Sequence, residues 1–551
     1  MWSLLLLLSC AEAPKQATEA VESAPDEPQV DSPQSGRLES LSPPRLLRRM
    51  SLDLRGVLPS PESLDVVEGD ASKLETFRDQ YLEDARLEER LVSMYAERWQ
   101  TRLDDFEVDH WEYGYDDYEE YLYEKSIGEE PLRLMARVVM EDRPWTDVVT
   151  ADTTMANEVT AAIWPIDRPE GKGWVESRYT DGRPAAGVLA TNGMWWRYVT
   201  TLSNMNRGRV AALVKLLACQ DLLARPVELD GTVSLADEDA SATAIRTEPA
   251  CQSCHATVEP IAAALFGFWT VIDYNPVENG HYHGERENMG PLYLGVEPAY
   301  FGQPVDGLAG LGMAITHDPR FYACAVETHT ELLWRRETGN RDLDALEALR
   351  RTFLTEEINV RALLSAITDT EEYRAGGMGA LASAEDRSQV RTVRSLSPDQ
   401  LHTVFADATG FEWTWDGFEQ LANDDIGYRT LMGGVDGYTV SEPQMDPGVT
   451  WTLALQRLAE AAADHAVRTE LEGAGRRSLF TEVRLHHRPS DSAFGAQLDV
   501  LVWRLHAVRL TQARRDRLAA FWSEVQAIKG PAEAWRRTLS VLLRDPEMVG
   551  Y

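Results

Sequence analysis

A chain of 551 residues, 44% hydrophobic and with 16 Trp, exceeds what one hydrophobic core organises, because cores stop growing near about 250 to 300 residues. Its formal net charge of −36 argues against reading nucleic acid through phosphate neutralisation; it favours cationic partners, or reflects a proteome whose surfaces are all acidic. No run approaches the roughly 20 consecutive apolar residues of a membrane-spanning helix.

The opening "MWSLLLLLSC" reads as a short secretory signal, residues 1–9, ending in a lipoprotein cleavage box with Cys10 as the lipidated first residue. It lacks the Lys or Arg that usually precedes the apolar stretch, so an apolar N-terminus without meaning is the competing reading. Residues 10–43 hold Pro, Ser, Ala and Glu with almost no large apolar side chain, and such a segment cannot offset its ordering entropy. They read as a flexible tether from a membrane anchor.

Helical patterns follow. In "PPRLLRRMSLDLRG", Leu46, Leu47, Met50 and Leu54 stand at helical spacing and Gly56 ends the run. "LPSPESLDVV" restarts with Ser60 as cap and Pro61 in the first turn. The same periodicity recurs over 71–103, 129–141, 207–223, 306–319, 341–354, 396–410, 449–467 and 511–528. Alternating strand-type runs are scarce, so the expected fold is mainly α, a multi-region helical protein. Turn-rich stretches near 164–190, 274–304 and 373–395 divide it into an N-terminal helical domain (44–200), a central domain (201–340) and a C-terminal helical domain (341–551).

The chain has five cysteines. Cys219 and Cys324 lie in apolar helical patterns and either pair with each other in an oxidising compartment or stay as buried thiols. The other two belong to "PACQSCHATVEP", where Cys251, Cys254 and His255 form one Cys-x-x-Cys-His. Haem c is attached when two thiols add across the porphyrin vinyl groups while the next residue presents an imidazole to the iron, and this pentapeptide meets those demands in about one and a half helical turns. A redox dithiol competes, without a thioredoxin-like βαβ pattern around it. A zinc site also competes, but it needs a second ligand pair.

The segment "RTEPACQSCHATVEPIAAALFGF" resembles the "NPACxxCHxxxDPxGxxFxxFD" segment of secreted cytochrome-c-like proteins of unknown function of the planctomycete and myxobacterial type. "RRMSLDLRGVLPSPESL", "NMNRGRVAALVKLLACQDLLARPVEL", "DPRFYACAVETHTELLWRR" and the terminal "LLRDPEMVGY" resemble further motifs of that family in the same order. The chain departs in having Glu259 where those proteins carry Asp and Trp269 where they carry Asp. The resemblance implies a protein with one covalent haem c, and no reaction.

With His255 as one axial ligand, the sixth position decides what the iron does: a Met ligand suits electron transfer, an open site admits peroxide or oxygen. Met289 lies in a turn-rich loop able to fold over a haem face and is the chosen candidate; Met313, His281, His283 and His317 are the others. Met313 shares helical spacing with Leu308, Leu311 and Ile315 and is expected to pack in the core. The pair His281 and His283 could take copper or zinc but lacks a third ligand at defined spacing. The run "DHWEYGYDDYEEYLYE" (109–124) lacks calcium-loop spacing and reads as a solvated acidic face. Trp195 and Trp196 are expected in ordinary core.

The expectation is an exported, lipid-anchored c-type cytochrome-like protein in the periplasm or at the outer membrane. Cys251 and Cys254 would hold the haem, His255 and Met289 would bind iron, and electrons would pass to a cationic redox protein. The alternatives are a haem enzyme with an open sixth site, and a haem-free surface binding protein with a Cys251–Cys254 disulfide.

Overall fold

The computed structural model describes residues 38–224, 237–269, 275–379, 390–415, 417–422, 427–473 and 475–551. It is mainly α, with few short strands. Cys10 lies outside the described residues.

Helix α1 (Pro43–Arg55) starts on two prolines, whose fixed φ suits a first turn. It stops at Gly56 in the left-handed region, φ 71°, where a Cβ would stand 3.1 Å from Arg90 Cδ. Helices α2 (Pro61–Gly69), α3 (Lys73–Leu82) and α4 (Arg86–Trp99) pack around it. Ser60 caps α2 as expected, its hydroxyl accepting from Ser63 N at 3.2 Å. Helix α5 (Glu120–Met140) runs beside α4 and is followed by α6 (Glu158–Ile163). A three-stranded antiparallel sheet is built from 154–156, 175–179 and 166–167, with 175–179 central.

Helices α7 (Asn192–Arg197), α8 (Arg207–Ala218), α9 (Glu238–Thr247) and α10 (Pro249–Ala263) come next. The short α11 (Pro276–Asn279) and α12 (Met289–Leu294) lead to α13 (Gly307–Thr316) and α14 (Pro319–Trp334). Then come α15 (Leu343–Thr355), α16 (Val360–Asp369) and α17 (Glu371–Arg374). One core runs through most of this, joining Tyr95 of α4, Leu213 of α8, Ile261 of α10, Leu333 of α14 and Leu363 of α16. The expected boundaries at 200 and 340 therefore do not separate cores. Apolar stripes on both sides of residues 200 and 340 bury against one another.

The second core begins near Leu396 and takes in α18 (Pro398–Thr409), α19 (Val449–Val467), α20 (Ser492–His506), α21 (Gln512–Lys529), α22 (Pro531–Leu543) and α23 (Pro546–Val549). Helix α19 packs on α22, and its Ala459, Ala462, Ala463 and Ala466 lie buried in this core. Leu46, Leu47, Met50 and Leu54 of α1 belong to the first core and Leu52 to the second. The last residues of the expected tether are ordered: the strand Leu38–Ser40 pairs antiparallel with Ala375–Met378.

At the junction Asp53, 1% exposed, accepts from Tyr551 Oη at 2.6 Å, Tyr373 Oη at 2.9 Å and Arg394 Nη1 at 3.0 Å. Removing one partner of a buried ion pair strands the other, at about 3 to 5 kcal/mol. Asp53→Ala is expected to lower unfolding free energy by about that amount, read as a fall in the urea midpoint. A change below about 1 kcal/mol, the scale of an exposed pair, would contradict this placement.

Candidate functional site

Glu248 and Pro249 open α10, which places Cys251, Cys254 and His255 in its first turns. Residues three and four apart share a helix face, so both thiols and the imidazole lie on one side. All three are half-buried, and both cysteines are free thiols. Val258, Ile261, Ala262 and Ala263, in the later turns of the helix, bury its C-terminal half in the first core.

One turn beyond His255 stands buried Glu259. His255 Nδ1 donates to Glu259 Oε1 at 2.7 Å, and Arg207 Nε donates to the same oxygen at 2.7 Å. Burial would push the Glu259 carboxyl up, yet the hydrogen bonds from His255 and Arg207, together with the Arg207 charge, hold it below the usual carboxylate range. With Nδ1 engaged, Nε2 faces away from the carboxylate and is the ring atom left to ligate. Pro260 gives α10 no N–H for the carbonyl one turn earlier.

Helix α8 supplies Arg207 and locks the site from behind. Met205 and Asn206 turn through the left-handed region, φ 48° and 66°. Buried Arg209 donates to Tyr198 O and Phe268 O, both at 2.8 Å, and to Asn206 Oδ1 at 3.1 Å. Burial lowers its guanidinium pKa to about 9. Beyond its C-terminus Cys219 forms a disulfide with Cys324 of α14, Cα to Cα 5.1 Å. The bridge thus joins the helix before the Cys-x-x-Cys-His to the helix after it.

The candidates for the sixth position are scattered. Met289 opens α12, partly buried against the first core. A Cβ on the next residue, Gly290, would lie 2.5 Å from Ala263 O, so Met289 stands at the far end of α10 from His255, about 12 Å along the axis for two turns. Met313 is 51% exposed rather than in the core, because Leu308, Leu311 and Ile315 form the buried stripe of α13 and Met313 falls on its outer face. His317 is exposed and its Nδ1 donates to Met313 O at 2.8 Å. His283 is buried with Nε2 against Glu278 O and Nδ1 against Glu285 Oε1, both at 3.1 Å. His281, two residues earlier, is half-buried. Trp195 is core, as expected, and Trp196 packs edge to face on Trp164 at 5.4 Å between ring centres. In the acidic run, Tyr123 is buried and donates to Val108 O at 2.8 Å, whereas Tyr118 is exposed. Its tyrosines therefore divide between a small third core and the solvent.

Glu259 carries the i, i+4 spacing of a helical pair with His255, a signal present in the sequence but read there only as a departure from the Asp of similar proteins. Arg207 had no local signal. Two further histidines became visible only in three dimensions. His506, Asp545 and Glu547 lie within 4.8 Å of one another, but Arg514 Nη2 sits 3.0 Å from both His506 Nδ1 and Asp545 Oδ2, filling the place a cation would take. His329, buried beside Cys324, donates from Nδ1 to Ala325 O at 2.6 Å and takes the Tyr95 hydroxyl on Nε2 at 2.9 Å.

No family model, curated protein or solved structure matches the chain.

Two outcomes follow from this geometry. The disulfide closes a loop of sequence separation 105, for which the chain-entropy account gives about 4 to 5 kcal/mol. Cys219→Ser with Cys324→Ser is expected to lower the urea midpoint correspondingly, and reductant should move the wild type but not the double variant. Burial lowers the His329 pKa from 6.5 to about 4, so the unfolded chain takes a proton there that the folded chain refuses. Stability from His329 is complete above the unfolded value and is lost as pH falls from about 6.5 toward 4, by up to about 3 kcal/mol. Thermal melts of wild type and His329→Gln over that window should converge as pH falls; parallel curves would refute the assignment.

Proposed function

We propose that this chain is an exported c-type cytochrome-like protein. One haem would be held by thioether bonds to Cys251 and Cys254, with His255 Nε2 as its proximal iron ligand. The observation that carries the reading is the donor set on α10: two free, accessible thiols and an imidazole on one helix face, with the far ring nitrogen already engaged by a carboxylate. That combination fits a haem better than a zinc ion, since Cys219 and Cys324, the other sulfur pair among the described residues, are bonded to each other. It also fits better than a redox dithiol, which has no use for the tethered imidazole.

The haem iron would supply one-electron chemistry, and the chain's residues would set its conditions. Cys251 and Cys254 would hold the ring against the start of α10, His255 would bind from the same helix, and the buried later turns of α10 would anchor that helix in the first core. A net charge of −36 steers cationic redox proteins toward the surface at a salt-dependent rate. The Cys219–Cys324 bridge supports an oxidising compartment, in keeping with export and a lipid anchor at Cys10.

A second reading is a haem enzyme with an open sixth position, acting on peroxide or a bound substrate. The placement of Met289 at the opposite end of α10 from His255 favours it over a Met-ligated carrier. A haem-free binding protein with a Cys251–Cys254 disulfide is the third reading, and the free thiols weigh against it.

Protein exported from a host with c-haem maturation machinery is expected to retain a c-type pyridine haemochrome α-band after acid-acetone extraction. Cys251→Ala with Cys254→Ala should lose it; full haem stain in that double variant would sink the proposal. A rapid spectral change with carbon monoxide or peroxide would select the open-site enzyme over the electron carrier.

A further inference from the structure

Glu259 Oε1 receives two charge-assisted donors, His255 Nδ1 and Arg207 Nε, each at 2.7 Å, while Glu259 Oε2 is buried without a hydrogen-bond partner. Helix packing alone does not call for this, since burying a half-satisfied carboxylate costs free energy that an apolar residue at the same place would not. A carboxylate that accepts from the far nitrogen of a metal-bound imidazole does two things. It fixes the ring's tautomer and orientation, and it makes the ligating nitrogen more basic, which favours the more highly charged iron. Arg207 opposes the second effect, because it competes for the same oxygen and offsets the charge.

We propose that Glu259 is a positioning residue, restrained by Arg207, that aims His255 Nε2 at the haem iron and lowers the iron's reduction potential. The inference rests on the haem reading above. It assigns a role to two residues outside the Cys-x-x-Cys-His pattern, and it predicts effects of opposite sign from the two. Removing the carboxylate charge raises the potential, and removing the guanidinium lowers it.

The test uses full-length wild type, Glu259→Gln, Glu259→Leu and Arg207→Gln, exported from the same maturation host. Covalent haem is read by haemochrome and potential by spectroelectrochemical titration. The iron–His255 stretching band is read by resonance Raman of ferrous protein after photolysis of its carbon monoxide complex. Glu259→Gln is expected to keep its haem and to shift the reduced-to-oxidised ratio at least tenfold toward reduced, roughly 59 mV per tenfold for one electron. The stretching band should fall in frequency, further in Glu259→Leu, and Arg207→Gln should move both readouts the other way. Haem present in wild type with potential and band unchanged in Glu259→Gln overturns the inference and leaves the haem reading standing. A potential shift with an unmoved band also overturns it, since that signals bare charge removal without a bond to the imidazole. Folded, exported wild type without covalent haem overturns reading and inference together. Should the Glu259 variants fail to fold, Arg207→Gln decides: an unmoved band there overturns the inference.

Discussion

The carboxylate of Asp53, in the last turn of α1, is enclosed by two tyrosine hydroxyls and the guanidinium of Arg394. Burial at this depth is tolerable only because each partner is fixed, and the partners come from three distant parts of the chain. Tyr373 closes the first core, Arg394 opens the segment leading to the second, and Tyr551 belongs to the second. Arg49 adds Nη1 bonds to Tyr373 O and Ala375 O at 2.6 and 2.8 Å and an Nη2 bond to Thr392 O at 2.7 Å, and Arg48 Nη1 reaches Gly550 O at 3.1 Å. Burial lowers both guanidinium pKa values to about 9 and raises that of the Tyr551 hydroxyl to about 12. A helix with apolar residues on two sides and charges at the seam therefore docks two cores that are each internally apolar.

The site on α10 inherits its rigidity from this arrangement at one remove. Helix α10 is held by α8, α8 is stapled to α14 by the disulfide, and α14 packs on α15 and α16, whose chain leads directly to Tyr373. The first turns of α10, with the two thiols and the imidazole, stay partly exposed while its later turns are buried.

Much of the secondary structure was legible because helix signals are local. Ser60 and Pro61 at the start of α2, Gly56 at the end of α1 and the leucine stripes all act within a few residues. Met313 was misplaced by its spacing. It lies two residues from both Leu311 and Ile315, and a spacing of two crosses from one helix face to another, so its exposure follows once the stripe is drawn correctly. Domain boundaries were less legible, since a turn-rich stretch shows where helical periodicity stops and does not reveal whether the helices on either side share a core.

The sequence by itself determined the helical class, the spacing of Cys251, Cys254 and His255 on one face, and the acidity that favours cationic partners, because each is a property of composition or of neighbours within a turn. Only the tertiary structure decided that Cys219 meets Cys324, that Arg207 reaches Glu259 across 52 positions, that Met289 lies at the far end of α10 from His255, and that Asp53 unites residues hundreds of positions apart. Those are contacts between segments whose separation along the chain carries no periodic trace, and they form only when apolar faces bury against one another and bring their polar margins within hydrogen-bonding range.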